Sequence, residues 1–221
     1  MADRIHGGQC CAIVLAAGEG TRLRPLTLRT PKPLLRVGGI TLLDRTLADA
    51  AGLGLTGPEE VTVNAHYLTD QVAAAVGDRA RLLREPYPLG TAGTVAALAD
   101  WVAARDAVIF NADAYRAGGS LLELTKPATG RARLLVVRDT ERPDFDGRWR
   151  FAGASLLPWQ LVRRLADTLT PGLTAPGLYE HVWRDAHAAG ELELAEYSGV
   201  FIDCGTPDDY AAANRHADAT A

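Results

Sequence analysis

The chain has 221 residues, of which 48% are hydrophobic and 23% are charged. This length and apolar content suit one large α/β domain with a full core. The formal net charge of -4, without any basic run, argues against a general nucleic-acid-binding surface.

The cysteines and the N-terminus both indicate a cytoplasmic protein. The three cysteines, two of them adjacent, lie in or beside apolar runs, which suits buried reduced thiols better than disulfide bonds. The polar N-terminus lacks the apolar core of a signal peptide, and no later apolar run approaches bilayer length. We expect a flexible segment over residues 1–9, one domain over 10–217, a tail over 218–221, and a monomer or homodimer without nucleic-acid or membrane partners.

The first predicted strand is the apolar run Cys11–Ala16, which ends at a glycine-rich loop. Because the run shows no polar alternation, it fits a strand buried on both faces of a parallel sheet. Gly18 and Gly20 permit a tight turn and a close backbone approach to a ligand, and Ala17 and Thr21 keep the loop wall low. Such a loop suits phosphates, although an ordinary strand-to-helix connection can contain the same glycines.

Cations follow the loop at defined places. Arg22 and Arg24 come directly after the turn, and Lys32 stands between two prolines that bar regular helix. Lys126 is the only other lysine of the chain, which indicates a specific need for a compact ammonium at position 32. The spacing excludes a Walker loop, and Leu23 occupies the position of the third glycine in a dinucleotide fingerprint.

Strands and helices alternate along the rest of the chain, which predicts βαβ units with mostly parallel pairing. The predicted strands are Glu60–Ala65, Arg81–Arg84, Ala107–Ala112, Arg131–Val137, Trp149–Leu157, Leu192–Tyr197 and Val200–Asp203. The predicted helices are one capped by Thr41 that ends near Gly52, Thr69–Val76, Thr94–Arg105, Gly118–Thr125, Trp159–Leu169, Gly177–Ala189 and a last one capped by Thr206. Residues 138–150 are charged and rich in turn formers, which predicts a surface loop or hairpin.

Ligands of such sheets bind at the carboxyl ends of the strands, and the informative polar residues fall there. Glu85 ends the third strand and is followed by Gly90 and Gly93, which bring backbone close to a flat or anionic group at a helix N-terminus. Asp113 and Asp203 each end a later strand. A single aspartate in such a place is commonly only a turn former, so the pair needs further support.

That support is a resemblance to the nucleotidyltransferases that make nucleotide-sugars from a nucleoside triphosphate and a sugar 1-phosphate. The matching segments are Leu15-Ala-Ala-Gly-x-Gly-Thr-Arg22-Leu-x-Pro-Leu-Thr, Pro31-Lys-Pro33, Leu89-Gly-Thr-Ala-Gly93, Asn111-Ala-Asp113 and Phe201-Ile-Asp-Cys-Gly-Thr206. The resemblance extends from Ala12 to about Asn214. It implies a single-domain, three-layer α/β/α sandwich with a mostly parallel, Rossmann-like central sheet.

The family's residue roles carry over to the matching positions. The resemblance implies nucleotide binding by Leu15, Ala17, Gly18, Gly20, Thr21, Gly90 and Thr91. Glu85 is a further nucleotide-binding candidate, from its place at the end of the third strand, ahead of the matching loop. It implies catalytic phosphate contacts by Arg22 and Lys32, substrate contacts by Asn111 and Gly153, and Mg²⁺ coordination by Asp113 and Asp203. The expected reaction transfers a nucleoside monophosphate to a sugar 1-phosphate and releases pyrophosphate.

Two departures keep other functions open. Ala112 replaces a glycine of the family pattern, and the family's Glu-Lys-Pro, whose lysine meets the sugar phosphate, is missing. The candidate replacements are Arg138, Arg142, Arg148 and Arg150. Two alternatives remain: a non-catalytic regulatory subunit that binds nucleotide-sugar, and a cytidylyltransferase that acts on a non-sugar phosphate. A nicotinamide-dependent oxidoreductase is a weaker alternative, because it would need an acidic residue where the second strand ends in Asn64-Ala-His66.

The nucleotide base depends on Glu85. A carboxylate accepts hydrogen bonds and donates none, whereas guanine offers two adjacent donors, uracil offers one, and cytosine presents an acceptor at N3. If Glu85 faces the base, it matches guanine best and uracil next, so GTP or UTP is expected over CTP. The other readings of Glu85 are a surface carboxylate and a contact to sugar hydroxyls.

Overall fold

The computed structural model describes residues 10–127, 129–169 and 176–220, so the expected flexible segment over residues 1–9 lies outside it. The strands of the described residues, in chain order, are β1 (Cys10–Leu15), β2 (Arg36–Val37), β3 (Ile40–Thr41), β4 (Val61–Ala65), β5 (Arg81–Arg84), β6 (Asp106–Asn111), β7 (Ala114–Ala117), β8 (Arg133–Arg138), β9 (Trp149–Leu157), β10 (Glu193–Glu196) and β11 (Val200–Asp203). The α-helices are α1 (Leu42–Gly52), α2 (Thr69–Val76), α3 (Gly90–Ala97), α4 (Ala99–Val102), α5 (Trp159–Thr168), α6 (Arg184–Ala188) and α7 (Pro207–Ala219).

Seven strands form the central sheet in the order β10-β8-β9-β6-β1-β4-β5. Strands β5, β4, β1 and β6 pair in parallel, and β9 runs antiparallel to both of its neighbours. The residues between β8 and β9 include a bridge from Phe145 to Trp149, so the hairpin expected there is confirmed. No helix in the described ranges is long and apolar enough to cross a membrane.

Strand β1 is buried on both faces, as its apolar run predicts. Ala12 and Val14 pack into the core beneath α1 and α2, whereas Cys11 and Ile13 pack into the core beneath α3, α4 and α5. Helices therefore cover both faces of the sheet, and the predicted three-layer α/β/α sandwich is confirmed. The glycine-rich loop leaves the carboxyl end of this central strand, where Leu15 is in register with Asn64 of β4 and Asn111 of β6.

The helix predicted over Thr94–Arg105 has different bounds. It begins four residues earlier, at Gly90, and it is divided into α3 and α4 at Leu98. The early start depends on tertiary contacts, because the Ala92 amide donates to the carbonyl oxygen of Pro176, 84 positions further along the chain. The helix ends at Val102 because Ala103 adopts a positive φ of 49°.

The helix predicted over Gly118–Thr125 is wrong for its first half. Only a 3-10 turn is present, over Leu122–Thr125, and an unpredicted strand, β7, precedes it. Strand β7 pairs antiparallel with β11 in a ribbon separate from the central sheet. Helix α7 packs on this ribbon and continues through Ala219, two residues into the expected tail.

Arg116 anchors the ribbon to the rest of the molecule. Its guanidinium donates to Asp49 Oδ2 of α1 at 2.9 Å and to the carbonyl oxygens of Ala152 and Gly153 of β9, each at 3.2 Å. The Arg116 side chain is only 1% exposed, against 26% for that of Asp49. Burial raises the pKa of Asp49, and the guanidinium opposes that rise. One buried cation thus connects the ribbon, the sheet and α1.

Arg116→Met should lower the free energy of unfolding by about 3 kcal/mol, because it leaves Asp49 in a largely buried place without its cation. Urea denaturation measures the loss. Arg163→Met is the matched control: it breaks an exposed pair with Asp167, whose two side chains are 53% and 59% exposed, and should change stability by less than about 0.5 kcal/mol. Equal effects of the two substitutions would contradict the anchoring role.

Candidate active site

The glycine-rich loop has the tight geometry that its sequence predicts. Gly20 adopts φ 62° and ψ 37°, and its carbonyl oxygen accepts hydrogen bonds from the Leu23 amide at 2.9 Å and from the Thr27 hydroxyl at 2.8 Å. A Cβ at position 20 would lie 2.9 Å from Thr27 Cγ2 and 3.0 Å from Lys32 Cβ. The loop therefore packs directly against the segment that carries Lys32.

Lys32 holds the centre of the site. Its side chain is 8% exposed, and its ammonium lies 2.7 Å from Asp113 Oδ2 and 3.9 Å from Asp203 Oδ1. Burying an ammonium is costly unless it is paired, so the two carboxylates are what permit this position. The structure thus brings together one predicted catalytic cation and both predicted metal ligands.

The two aspartates meet because of the β7–β11 ribbon. Asp203 of β11 is in register with Ala114 of β7, the residue directly after Asp113, and the Cys204 amide donates to the Asp113 carbonyl oxygen at 3.2 Å. Burial is the main cause that raises the pKa of Asp203, and repulsion from the Asp113 carboxylate raises it further. The Lys32 ammonium opposes this rise. The site therefore holds two carboxylates that repel each other and one cation that relieves the repulsion.

This donor set fits a magnesium ion. Two carboxylates converge on one cation position, and Mg²⁺ usually takes only one or two protein carboxylates because phosphate oxygens and waters complete its octahedron. Within the described ranges, no cluster of three or more His, Cys, Asp or Glu side chains could hold a metal ion. The geometry therefore suits an ion shared with a phosphate ligand rather than one enclosed by protein.

Two further cations border the aspartates. Arg22 and Asp203 both approach Gly205. A Cβ built on Gly205 would lie 2.8 Å from Arg22 Nη2 and 3.2 Å from each carboxylate oxygen of Asp203. Arg150 Nη2 lies 3.8 Å from Asp203 Oδ2, and its guanidinium lies over the Phe201 ring at 5.5 Å. The site thus gathers positive charge on both sides of the carboxylates.

The structure distinguishes among the four arginines that are candidates to replace the missing lysine. Arg138 and Arg148 lie over the Trp149 ring, and Arg142 pairs with Asp209 at 3.5 Å. Only Arg150 among the four lines a cavity of about 220 Å³ together with Asp113 and Asp203. The remaining residues that line this cavity are Arg22, Asn111, Ala114, Asp144, Phe151, Gly153 and Phe201.

A second cavity, of about 270 Å³, adjoins the first, because Asn111 and Asp113 line both. The residues that line it are Leu15, Ala17, Gly18, Asn64, Glu85, Pro88, Gly90, Thr91, Thr94, Asn111 and Asp113. It collects all the predicted nucleotide-binding residues except Gly20 and Thr21, which are not among its lining residues. Gly153, predicted for substrate contact, lines the other cavity, at φ 71°.

Glu85 is 5% exposed, so its reading as a surface carboxylate is wrong. Its Oε1 accepts from Asn64 Nδ2 at 2.7 Å and from the Thr94 hydroxyl at 2.6 Å, and its Oε2 accepts from the Leu89 amide at 3.2 Å. Asn64 in turn accepts from the Ala16 amide at 2.6 Å. The sequence analysis assigned no role to Asn64 or Thr94. The signal that could have identified Asn64 is its polar side chain within the otherwise apolar run of β4.

His66 and the cysteines take no part in this chemistry. The His66 ring lies 3.0 Å from the Glu85 carbonyl oxygen through Nδ1, three residues before α2 begins at Thr69. All three cysteines are free, and Cys11 and Cys204 are buried, as expected. Burial raises the pKa of Cys204 to about 12, so this thiol is protonated at neutral pH and is a poor nucleophile.

Comparison with known proteins agrees with the geometry. A glycine-rich loop after a central parallel strand, next to paired aspartates, defines a nucleotide-binding α/β protein, and residues 11–144 match the family model described as nucleotidyl transferase. The chain belongs to the nucleotidyl transferase family of enzymes. The resemblance inferred from the glycine-rich loop is confirmed.

Two members of the family share more than a third of their aligned residues with this chain. The chain is 37% identical to a mannose-1-phosphate guanylyltransferase of Mycobacterium tuberculosis over 52% of this chain and 33% of the relative. It is 36% identical to an N-acetylmuramate alpha-1-phosphate uridylyltransferase of Neisseria meningitidis over 88% of this chain and 93% of the relative. The chain thus spans a third of the first relative's length and nearly all of the second.

A solved structure supports the fold. A Bacillus anthracis protein described as a glucose-1-phosphate thymidylyltransferase superposes with a TM-score of 0.78 over 94% of this chain and 95% of its own. The two sequences are 19% identical, so this likeness bears on the architecture alone.

Gly20→Ala should lower the free energy of unfolding by about 2–4 kcal/mol, because the added methyl meets Thr27 and Lys32 at a left-handed φ. Gly18→Ala is the control from the same loop: a Cβ there has nothing within 4 Å, and the change should stay within about 0.5 kcal/mol. Thermal or urea unfolding of the two variants checks this. Equal stability of both would contradict the packing of the loop on Lys32.

Proposed function

We propose that this chain is a Mg²⁺-dependent sugar-1-phosphate nucleotidyltransferase, which converts a nucleoside triphosphate and a sugar 1-phosphate into a nucleotide-sugar and pyrophosphate. The observation that carries the proposal is the position of Lys32 between Asp113 and Asp203, 2.7 and 3.9 Å from their carboxylates, where two cavities adjoin. One cavity follows the glycine-rich loop and suits the nucleotide. The other contains Arg150 and suits the second phosphate.

The reaction needs no nucleophile from the protein. An oxygen of the sugar phosphate, ionised at neutral pH, forms a bond to the α-phosphorus while the bond from that phosphorus to the β-phosphate oxygen breaks. Pyrophosphate leaves with the electron pair of the broken bond. Catalysis then consists of positioning the two phosphates and stabilising the charge that develops on them.

Lys32 and Arg22 occupy positions that suit the stabilisation of this charge. Lys32 is a compact ammonium held 2.7 Å from Asp113, a residue that lines both cavities, and Arg22 follows the glycine-rich loop and lines the same cavity as Asp113 and Asp203. Gly18 and Ala17 expose the loop wall to the nucleotide cavity. The charges are fixed before the substrates arrive, so little reorganisation is needed during transfer.

Asp113 and Asp203 would hold the magnesium ion, which when bound neutralises phosphate charge. Their shared approach to the Lys32 ammonium, at 2.7 and 3.9 Å, supports this assignment. Glu85 at the wall of the nucleotide cavity supports a preference for GTP or UTP over CTP, since it only accepts hydrogen bonds. The three free cysteines support work in the reducing cytoplasm.

Pyrophosphate release tests the proposal directly. The protein is mixed with Mg²⁺, each of the nucleoside triphosphates and a panel of sugar 1-phosphates, and one pair of substrates should give release that depends on all three components. Nucleotide-sugar binding without any release would instead indicate the non-catalytic regulatory subunit. Release with choline phosphate or a similar acceptor would indicate a non-sugar substrate.

Asp113→Asn and Asp203→Asn should each lower kcat by on the order of 10²-fold or more, the typical cost of losing one electrostatic stabiliser. Both variants should remain folded, because each keeps the size of the side chain and one carboxylate near Lys32. Asp78→Asn, at an exposed position, is the control and should keep its activity. Near wild-type turnover by the doubly substituted protein in Mg²⁺ would show that the metal site lies elsewhere.

Arg150→Gln should raise the KM for the sugar phosphate by about tenfold or more, since a charge-assisted hydrogen bond is lost. The KM for the nucleotide should change little, because Arg150 does not line the cavity that contains the predicted nucleotide-binding residues. Arg148→Gln, exposed and stacked over Trp149, is the control. A rise confined to the nucleotide KM would assign Arg150 to the triphosphate instead.

A further inference from the structure

A closed cycle of hydrogen bonds joins Asn64, Glu85 and Thr94 at the wall of the nucleotide cavity. Asn64 Nδ2 donates to Glu85 Oε1 at 2.7 Å and to Thr94 Oγ1 at 3.0 Å, and Thr94 Oγ1 donates to Glu85 Oε1 at 2.6 Å. Both amide hydrogens of Asn64 are therefore in use. The hydroxyl of Thr94 accepts one bond and donates its single proton to a charged acceptor, which it prefers to the Gly90 carbonyl oxygen at 3.0 Å.

The cycle is also tied to the backbone on both sides of the cavity. Asn64 Oδ1 accepts from the Ala16 amide at the start of the glycine-rich loop, and Glu85 Oε2 accepts from the Leu89 amide just before α3. Because Oδ1 faces a backbone donor and Nδ2 faces a carboxylate, only one orientation of the amide satisfies the network. The cycle thus holds the two walls of the cavity at a fixed separation.

Glu85 has one hydrogen-bond acceptor position left for a ligand. A carboxylate offers about four lone-pair positions, two on each oxygen. Both positions on Oε1 are filled, and one on Oε2 is filled by the Leu89 amide, so one position remains. Glu85 is 5% exposed and lines the nucleotide cavity, so the remaining position on Oε2 is the one that a donor on a bound base can use.

We propose that Asn64 and Thr94 are positioning residues that leave Glu85 a single acceptor for the base, so that the enzyme selects a base with one ring N–H, uracil or thymine, over guanine. Guanine presents N1–H and N2–H side by side and needs an acceptor on each carboxylate oxygen, and Oε1 is already saturated. Cytosine presents an acceptor at N3, which Glu85 repels. This inference rests on the proposed function, and it reverses the order of guanine and uracil expected from an unoccupied carboxylate.

The test compares UTP, dTTP, GTP and CTP with the wild-type chain and two substitutions at Thr94. Wild type should favour UTP or dTTP over GTP by at least about tenfold in kcat/KM, the scale of a mismatched buried hydrogen bond. Thr94→Val frees one position on Oε1 and should shrink that preference by about fivefold. Thr94→Ser keeps the hydroxyl and should restore the wild-type ratio, which a purely structural role of Thr94 would not require.

Thr62→Val is the matched control. Thr62 is a fully buried threonine on β4, the strand that carries Asn64, and its hydroxyl donates to the Arg81 carbonyl oxygen at 3.3 Å; it does not line the nucleotide cavity. Its substitution should leave the ratio of UTP to GTP unchanged. Thr94→Ala replaces Thr94→Val if the valine variant does not fold, since it removes the same hydroxyl without adding a methyl group.

Calorimetric binding of UTP and GTP in Mg²⁺ separates this inference from the proposed function. Tighter binding of UTP without transfer to any sugar phosphate would support the base selection while overturning the proposed reaction. Transfer that uses GTP as well as UTP or better would overturn the base selection while the reaction stands. An unchanged ratio in a folded Thr94→Val variant would equally overturn the role of the cycle.

Discussion

The charge cluster formed by Lys32, Asp113 and Asp203 is the interaction on which the rest of the candidate site depends. An ammonium that is 8% exposed would be costly without the carboxylates, and the two carboxylates would repel each other without the ammonium. Each member therefore makes the others possible. The cluster carries one negative charge in excess, which prepares it for a further cation, and Arg22 and Arg150 border it where phosphates would approach.

The cluster in turn requires that two parts of the fold keep their relative position. Lys32 follows the glycine-rich loop of the central sheet, and Asp113 lies in the turn between β6 of that sheet and β7, whereas Asp203 is the last residue of β11 in the separate ribbon. Arg116 connects that ribbon to α1 and β9 through buried polar contacts. Arg116 lines neither cavity, yet it links the ribbon that carries Asp203 to the helix and sheet on which the rest of the site is built.

The carboxylates of the site are compensated in two different ways. Asp113 and Asp203 are compensated by a cation, which suits positions meant for phosphate and metal. Glu85 is compensated by two neutral side chains and one backbone amide, so its charge stays available and its geometry is fixed. Under the proposed function, the first arrangement would attract phosphate and metal without much selectivity, whereas the second would select among bases, because a missing or surplus donor is costly in a buried place.

The sequence by itself determined the parallel α/β class, the buried central strand and the glycine-rich loop, because these depend on local periodicity and on neighbours along the chain. It also placed Glu85, Asp113 and Asp203 at strand ends. Only the tertiary structure decided that β7 exists and pairs with β11, that α3 begins at Gly90, that Arg150 lies beside Asp203, and that Asn64 and Thr94 hold Glu85. Each of these depends on contacts between residues far apart in the chain, whose free energies of burial and hydrogen bonding outweigh local preference.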